Sequence, residues 1–281
     1  MSRRVHIVIL ADNSTDPSVE NKGWISEHGL SFWVEYGDKN ILFDTGQTDS
    51  VVHNAARAGI DLSKTDAIVL SHGHYDHTGG LPYVLKEAQK AKVFVHPSAM
   101  GEKYSLKNDQ PRFIGMGEEV RQRLGQQEIH WTETPFQFVP GITVTGEIPR
   151  SHSFEDTGGA FYTDPACKTE DFLPDDQALF IEAENRRIIL MGCAHAGLVN
   201  TLDYIEHLAG RKKSCLLLGG LHLLHADETR LRTTIDAMKS HNIHMVVPLH
   251  CTGVQATEAL KEAFGKCCLT GGVGFSFTLS M

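Results

Sequence analysis

The stretch SHGHYDHTGG, from Ser71 to Gly80, places three histidines and one aspartate within ten residues. It follows the apolar run DAIVL and precedes a segment with helical spacing, so it should connect a buried strand to a helix. Residues two apart in an extended backbone point the same way, so His72 and His74 can hold one ion. Asp76 and His77 come after the turn and can reach a second ion. Imidazole and carboxylate groups at this spacing predict a metal site.

Three more histidines follow apolar runs later in the chain. His195 comes after RIILMGCA, His222 after CLLLGGL and His250 after MVVPL. Neighbouring strand ends in a sandwich converge on one rim, so these side chains can complete the coordination that begins at His72. Any one of them alone would be better explained as a core histidine. The repeated pattern of a strand followed by a histidine favours a binuclear site.

The overall composition limits the classes of function. The chain has 281 residues, of which 41% are hydrophobic and 22% are charged, which is ordinary for a globular protein. The formal net charge of -9 gives no electrostatic basis for binding nucleic acid or an anionic membrane. No apolar stretch is long enough to span a bilayer. The six cysteines include no CxxC pair, which predicts reduced thiols in a cytoplasmic protein.

Short apolar runs rich in β-branched residues recur along the chain and predict strands. The first, VHIVILA, favours a β-strand over a signal peptide, and SFWVEYGDKNILFDTG predicts a hairpin that turns at Gly37 and Asp38. Five segments repeat apolar residues every three or four positions and predict helices: SVVHNAARAGI, LPYVLKEAQK, GLVNTLDYIEHLAG, DETRLRTTIDAMKSH and TGVQATEALKEAFG. Two packed sheets with helices outside would bury both kinds of element.

Two polar segments interrupt this pattern. Residues from about 100 to 127 lack clear strand periodicity and form either a lid or insertion over a site or a solvated connection. The acidic stretch YTDPACKTEDFLPDD is predicted to be a second long loop. The sequence shows no linker between independent domains. Residues 1–281 are therefore predicted to form a single domain.

The motif HGHYDH, with ILFDTG upstream of it, resembles the signature of the metallo-β-lactamase superfamily. This resemblance implies an α+β fold, an αββα sandwich of two mixed sheets with helices on the outer faces. A narrower resemblance is to the branch of metal-dependent hydrolases similar to 7,8-dihydropterin-6-yl-methyl-4-(β-D-ribofuranosyl)aminobenzene 5′-phosphate synthase. It is carried by EHGLSF, GEIPR, GCAHAGLVN, GGLHL and PLHCTG. Fold transfers from such a resemblance more safely than function does.

The superfamily resemblance also implies roles for individual residues. A first metal would be bound by His72 and His74, and a second by Asp76, His77 and His250. Asp44, in FDTG, would support the ligands through hydrogen bonds rather than bind metal. The superfamily usually has a bridging aspartate after a late glycine, but in this chain that glycine is followed by Cys193. The departure weakens a simple lactamase interpretation.

Two histidines compete to complete the site. His152, in IPRSHSFE, lies near the position where the superfamily often has its further histidine, but it stands between serines in a charged segment. His195 follows a buried strand, and a rigid element holds a coordination site better than a loop does. We therefore expect His195 to bind metal and His152 to contact substrate at the rim. We assign His222 to substrate contact or to support of the ligands, because the other candidates already suffice for two ions.

The expected cofactors are two divalent ions, zinc first, with manganese or iron as alternatives. Such a pair lowers the pKa of a shared water and neutralises charge that develops on a phosphoryl or carbonyl oxygen. Asp76 would bind metal and orient the nucleophile. A neutral His195 cannot match the charge of the missing aspartate, so the site would favour an anionic substrate. The first hypothesis is therefore a hydrolase of a small phosphate ester or a similar anionic molecule.

Two alternatives stay open at this point. One is a synthase that joins a dihydropterin methyl group to an aminobenzene ribotide with loss of pyrophosphate. The other is a metal-binding or ligand-binding protein without turnover. The expected partner is a small molecule rather than nucleic acid or a membrane, and the sequence is compatible with a homo-oligomer.

Overall fold

Runs of β-branched and aromatic residues form the strands of the protein. The computed structural model describes residues 4–19, 23–183 and 185–280. The strands are β1 (Arg4–Ala11), β2 (Ser31–Tyr36), β3 (Lys39–Phe43), β4 (Ala67–Val69), β5 (Lys92–Val95), β6 (Tyr104–Lys107), β7 (Gln110–Phe113), β8 (Ile129–Trp131), β9 (Phe136–Val139), β10 (Ile142–Val144), β11 (Phe161–Tyr162), β12 (Leu179–Ala183), β13 (Arg186–Met191), β14 (Ser214–Gly220), β15 (Ile243–Leu249) and β16 (Ser276–Ser280).

The helices lie in segments whose apolar residues recur every three or four positions. They are α1 (Ser50–Arg57), α2 (Tyr75–Thr78), α3 (Leu81–Glu87), α4 (Glu118–Leu124), α5 (Leu198–Ala209), α6 (Glu228–Ser240) and α7 (Val254–Phe264). The five predicted helices are confirmed as α1, α3, α5, α6 and α7. The sequence did not indicate α4, because only Val120 and Leu124 of this short helix are buried. None of the helices in the described part of the chain is long and apolar enough to cross a membrane.

Two mixed sheets form the centre of the fold. The first has the strand order β16-β1-β2-β3-β4-β5-β8, and the second has the order β15-β14-β13-β12-β10-β9. Strands β3, β4, β5 and β8 run parallel in the first sheet, as do β13, β14 and β15 in the second. The predicted hairpin joins β2 to β3, and Gly37 in its turn adopts a φ of +65°, which glycine accepts without strain.

Apolar side chains fill three layers. Between the sheets, Ile7 and Phe32 of the first sheet belong to one buried cluster with Leu190 and Leu218 of the second. The outer face of the first sheet is covered by α1, α3 and α4, and that of the second by α5, α6 and α7. Each large side chain buried in this way contributes about 1.5–3 kcal/mol to folding. The predicted αββα sandwich is confirmed.

The segment from residue 100 to 127 contains the hairpin of β6 and β7 followed by α4. The hairpin and β11 make a separate three-stranded sheet, while α4 packs on α3. Leu106 and Arg112 of the hairpin border the main cavity described below. The segment thus contains two strands and a helix, and its function as a lid or insertion stays a prediction.

The parallel strands of both sheets end at the same edge of the sandwich, and this edge carries the chemically active side chains. Asp44 directly follows β3, and Ser71 comes two residues after β4. On the second sheet, Cys193 comes two residues after β13, β14 ends at Gly220, and His250 directly follows β15. The candidate ligands that lie far apart in the sequence meet here because parallel strands place their carboxyl ends together.

Candidate metal centre

The HGHYDH segment, residues 72–77, turns sharply after β4 and presents its polar side chains at this edge. Nε2 of His72 lies 2.9 Å from Nδ1 of His74. His77 is on α2, and its Nε2 lies 3.3 Å from Nε2 of His250 at the end of β15. Oδ2 of Asp76 lies 3.3 Å from the same nitrogen of His250. One short segment and one distant strand end thus form a single cluster.

The candidate ligand atoms form groups of three in which all atoms lie within 4.8 Å of one another. One group consists of His72, His74 and His195, and another consists of His28, Asp76 and His250. A third group, which shares His72 with the first, consists of His72, His77 and Cys193, and Cys193 also groups with His250 of the second. The six side chains that the sequence predicts as ligands all lie in these groups, so the fold brings them together.

Asp44 lies beneath the cluster and fixes the orientation of two of its rings. Its Oδ2 accepts hydrogen bonds from Nδ1 of His77 and from Oγ of Ser71, each at 2.7 Å. Nδ1 of His72 donates to Oγ of Ser71 at 2.9 Å. Both rings therefore carry their proton on Nδ1 and turn the lone pair of Nε2 toward the centre. Gly192 leaves room for this chain of bonds, because a Cβ there would lie 2.1 Å from Oγ of Ser71.

Two further rings are fixed in the same tautomer. Nδ1 of His195 donates to the carbonyl oxygen of Thr157 at 2.8 Å, and Nδ1 of His250 donates to Oδ1 of Asn13 at 2.9 Å. Nε2 of His195 is buried and has no hydrogen-bond partner in the described part of the chain. A buried acceptor without a partner is costly unless an ion or ligand binds it. Imidazole nitrogens with a carboxylate and a thiol are donors that suit a divalent transition-metal ion, so the residues fit such an ion.

Burial and nearby charge together set the protonation of the cluster. Burial alone would lower the pKa of His77, but two neighbouring carboxylates outweigh it and raise that pKa. Burial lowers the pKa of His72, His74 and His195 well below the usual value, and positive charge on neighbouring groups would lower it further. Burial raises the pKa of Asp76, but the ring of His77 and those of two other histidines outweigh it and hold that pKa well below its usual value. Neutral imidazole and ionised carboxylate are the forms that bind divalent ions.

Three groups in contact with the cluster were not among the predicted candidates. Sγ of Cys193 lies 3.2 Å from Nε2 of His77, and Nε2 of His28 lies 3.1 Å from Oδ2 of Asp76. Cys251 is the third, in a group with Cys193. The sequence carries a signal for both cysteines. Cys193 stands where the superfamily usually has its bridging aspartate, and Cys251 directly follows the predicted ligand His250. His28 lies in a loop and gave no such signal.

The two remaining predicted histidines lie in different places. The ring of His222 is 4.3 Å from that of His195, centroid to centroid, so it belongs to the cluster. His152 lies elsewhere, where its Nε2 is 2.6 Å from Oδ2 of Asp203 on α5. It is not among the described residues that line the main cavity. A contact of His152 with substrate at the rim stays a prediction that this position does not favour.

A cavity of about 480 Å³ opens over the cluster. His74, Asp76 and His195 lie at its base, while Phe161 and Leu106 supply an apolar wall. At the mouth, the Arg112 guanidinium donates a hydrogen bond to Oη of Tyr75 at 3.1 Å. Among the described lining residues, Asp76 is the only acidic one. The volume suits a small molecule.

The family model of the metallo-β-lactamase superfamily matches residues 26–250. The chain belongs to the metallo-β-lactamase superfamily. This superfamily member is 32% identical over 258 residues to an uncharacterized protein of Methanocaldococcus jannaschii. The alignment covers 91% of this chain and 94% of that protein. It is also 32% identical over 260 residues to the 7,8-dihydropterin-6-methyl-4-(beta-D-ribofuranosyl)-aminobenzene-5'-phosphate synthase of the same organism. This alignment covers 87% of each chain.

Solved structures show the same relationship. Tm1679, a metal-dependent hydrolase of the beta-lactamase superfamily, matches with a TM-score of 0.82 and 28% identity over 99% of this chain and 100% of that one. Zn²⁺-bound PqqB from Methylobacterium extorquens matches with a TM-score of 0.59 and 16% identity over 98% and 100% of the two chains, which shows the fold alone. The predicted resemblance to the superfamily and to its synthase-like branch is confirmed.

Proposed function

We propose that this protein is a metal-dependent hydrolase whose two-ion centre acts on a small phosphate ester or a similar anionic molecule. One observation carries the proposal: four histidines of the cluster hold a proton on Nδ1 through a fixed acceptor and turn Nε2 to the same space. They are His72, His77, His195 and His250. Orientation of several rings by fixed acceptors is typical of metal sites and has no comparable use in an apolar core.

The residues would divide into two ligand sets. One ion would be held by His72, His74 and His195, and the other by Asp76, His77 and His250. Cys193 could contribute to either set, because it groups with residues of both. A thiolate there would supply the negative charge of the missing aspartate. The case for an anionic substrate therefore depends on the cavity, with Arg112 at its mouth, and not on a charge deficit at the centre.

Two divalent ions held here would lower the pKa of a water molecule and neutralise charge on a phosphoryl oxygen. The protein's own side chains would position the reacting groups and exclude water from the base of the cavity. Asp76 is buried and is held between His28 and His250, at 3.1 Å and 3.3 Å from their Nε2 atoms. The side chain of His28 is 55% exposed, so it can pass a proton between Asp76 and solvent. The Phe161 ring covers the base of the cavity, 5.2 Å from the ring of His195.

A second candidate function is the synthase reaction. The similarity to the dihydropterin synthase of M. jannaschii, which extends over 87% of both chains, favours it. The same centre would then stabilise a departing pyrophosphate, and Arg112 would contact a phosphate of the second substrate. The two functions share ligands and differ in the group that attacks.

The test is a substrate panel on the metal-loaded protein with Asp76→Asn as the matched control. Hydrolysis of a phosphate monoester or diester that is lost in Asp76→Asn would support the first proposal. Pyrophosphate release that requires both a dihydropterin methyl pyrophosphate and a ribofuranosylaminobenzene 5′-phosphate would support the synthase. A protein that holds its metals but turns over neither class would contradict both and favour a binding protein.

A further inference from the structure

Two half-buried donor groups beside the centre have no role in the two ligand sets: the thiol of Cys251 and the ring of His222. Ligand atoms of Cys193, His250 and Cys251 lie within 4.8 Å of one another, and so do those of Cys193, His195 and His222. We propose that Cys251 and His222 are metal ligands that form, with Cys193, a thiolate-containing set which selects a thiophilic divalent ion such as zinc. The inference rests on the proposed two-ion centre and extends it.

The ring of His222 is oriented for coordination. Its Nε2 donates to the carbonyl oxygen of Gly158 at 3.2 Å, so the lone pair is on Nδ1. That Nδ1 is buried and has no hydrogen-bond partner of normal geometry among the described residues. The sequence suggested substrate contact for His222, since six ligands already sufficed. A buried and unpaired lone pair beside the ring of His195 favours ligation instead.

The backbone at His222 repeats that of a predicted ligand. His222 follows β14 with a φ of +46°, and His250 follows the adjacent β15 with a φ of +49°. A left-handed conformation costs energy in a residue with a side chain and persists at functional sites because the surroundings fix it. In both cases it turns the ring from the end of a parallel strand toward the centre.

The Cys251 thiol occupies space that is free only because the neighbouring strand ends in a glycine. Sγ of Cys251 donates to the carbonyl oxygen of Cys193 at 3.5 Å. A Cβ at Gly220, the last residue of β14, would lie 2.6 Å from this sulfur. Cys251 also lines the cavity, whereas Cys268 lies in the apolar layer under the helices. The thiol therefore faces the centre rather than filling a gap in the core.

The softness of the ligands determines which divalent ions the centre prefers. Thiolate donors favour zinc and other thiophilic ions, whereas magnesium and manganese favour oxygen donors. Two thiolates and an added imidazole would make this centre softer than the set of histidines and aspartate that the sequence predicts. Zinc or cobalt should therefore bind more tightly than magnesium or manganese.

The test is spectroscopic. The metal-free protein is titrated with Co²⁺ alone, and the thiolate-to-Co²⁺ charge-transfer absorption in the near ultraviolet is recorded. We expect Cys251→Ser to lower this absorption by about half while cobalt still binds, because each thiolate contributes its own transition. His222→Ala should weaken cobalt binding by about 10-fold or more. Cys268→Ser, the matched control, should change neither property.

Alkylation of the unmutated protein gives a second measurement that does not depend on the folding of a variant. Iodoacetamide should modify Cys251 after removal of metal and leave it unmodified when Zn²⁺ is bound, whereas the exposed Cys267 should react in both states. Equal modification of Cys251 in both states, or full charge transfer in Cys251→Ser, would overturn the inference and leave the proposed hydrolase intact. Failure to bind any Co²⁺ would overturn both.

Discussion

Oδ2 of Asp175 accepts a hydrogen bond from the backbone nitrogen of Gly73, between two predicted ligands, at 2.7 Å. The other oxygen of Asp175 accepts from Nζ of Lys103 at 2.8 Å, and the same Nζ donates to Asp171 at 2.9 Å. Lys103 is only 2% exposed. The segment that the sequence predicts as an insertion therefore contributes a buried cation that anchors the HGHYDH segment.

The two residues after Asp175 extend this anchor to the second sheet. Oδ2 of Asp176 accepts from the backbone nitrogen of Ala196, next to His195, at 2.7 Å. Gln177 donates through its backbone nitrogen to the carbonyl oxygen of Ser71 at 3.0 Å. Three consecutive residues, of which the first two end the predicted acidic loop, thus fix the two loops that carry the proposed ligands of the first ion.

The first prediction concerns the buried ion cluster. Lys103→Met should destabilise the protein by about 3–5 kcal/mol in urea unfolding, because it leaves two buried carboxylates without a cation. Lys39→Met, which removes the exposed partner of Asp66, is the matched control and should change stability little. A loss below about 1 kcal/mol in Lys103→Met would show that the cluster does not depend on this charge.

The second prediction concerns Asp44. Asp44→Asn removes the charge that holds His77 and, through Ser71, His72 in one tautomer. We expect the affinity for Zn²⁺ to fall by about 10- to 100-fold, measured by competition with a chromophoric chelator, with circular dichroism unchanged. Asp61→Asn, at an exposed turn, serves as the control. Equal affinity in Asp44→Asn and the unmutated protein would refute the supporting role.

The third prediction concerns Asp76. Asp76→Asn keeps the shape of the side chain and removes its charge, so turnover of the substrate found in the panel should fall by about 100-fold or more. The thermal unfolding of the metal-free variant should stay close to that of the unmutated protein. Turnover within a few-fold of the original would mean that Asp76 has no central part in the chemistry.

The fourth prediction compares two histidines. His195→Ala removes a buried ring whose Nε2 faces the centre, so metal content should fall. His152→Ala breaks only a contact with Asp203 outside the cavity, so metal content should stay the same. Elemental analysis of the two variants side by side measures their metal content and decides between the two histidines. Loss of metal in His152→Ala alone would show that the wrong histidine was chosen.

Much of the fold and of the centre could be predicted from local patterns. Apolar runs predicted most of the strands and five helices, but not β6 to β9 or β11. The HGHYDH motif with its strand indicated the first ligands. His195 and His250 could be placed because each follows a buried parallel strand, and such strands end together. Each of these patterns involves residues that are close together in the sequence, so the sequence alone reveals it.

The remaining features depend on contacts between distant segments. Lys103 looks like an ordinary charged residue in the sequence and becomes buried only because Asp171 and Asp175 return to it. His28 meets Asp76 through a loop whose course no periodicity determines. Cys251 directly follows the predicted ligand His250, and this adjacency is the signal that could have identified it.

The central claim is that two metal ions occupy one centre at the edge of the sandwich. The direct test is elemental analysis of the metal-replete protein beside His72→Ala and His77→Ala, since each variant removes a ligand from a different set. About two transition-metal ions per chain are expected in the unmutated protein, with a lower content in each variant. A content of one ion or fewer in the unmutated protein, with every ligand intact, would contradict the account.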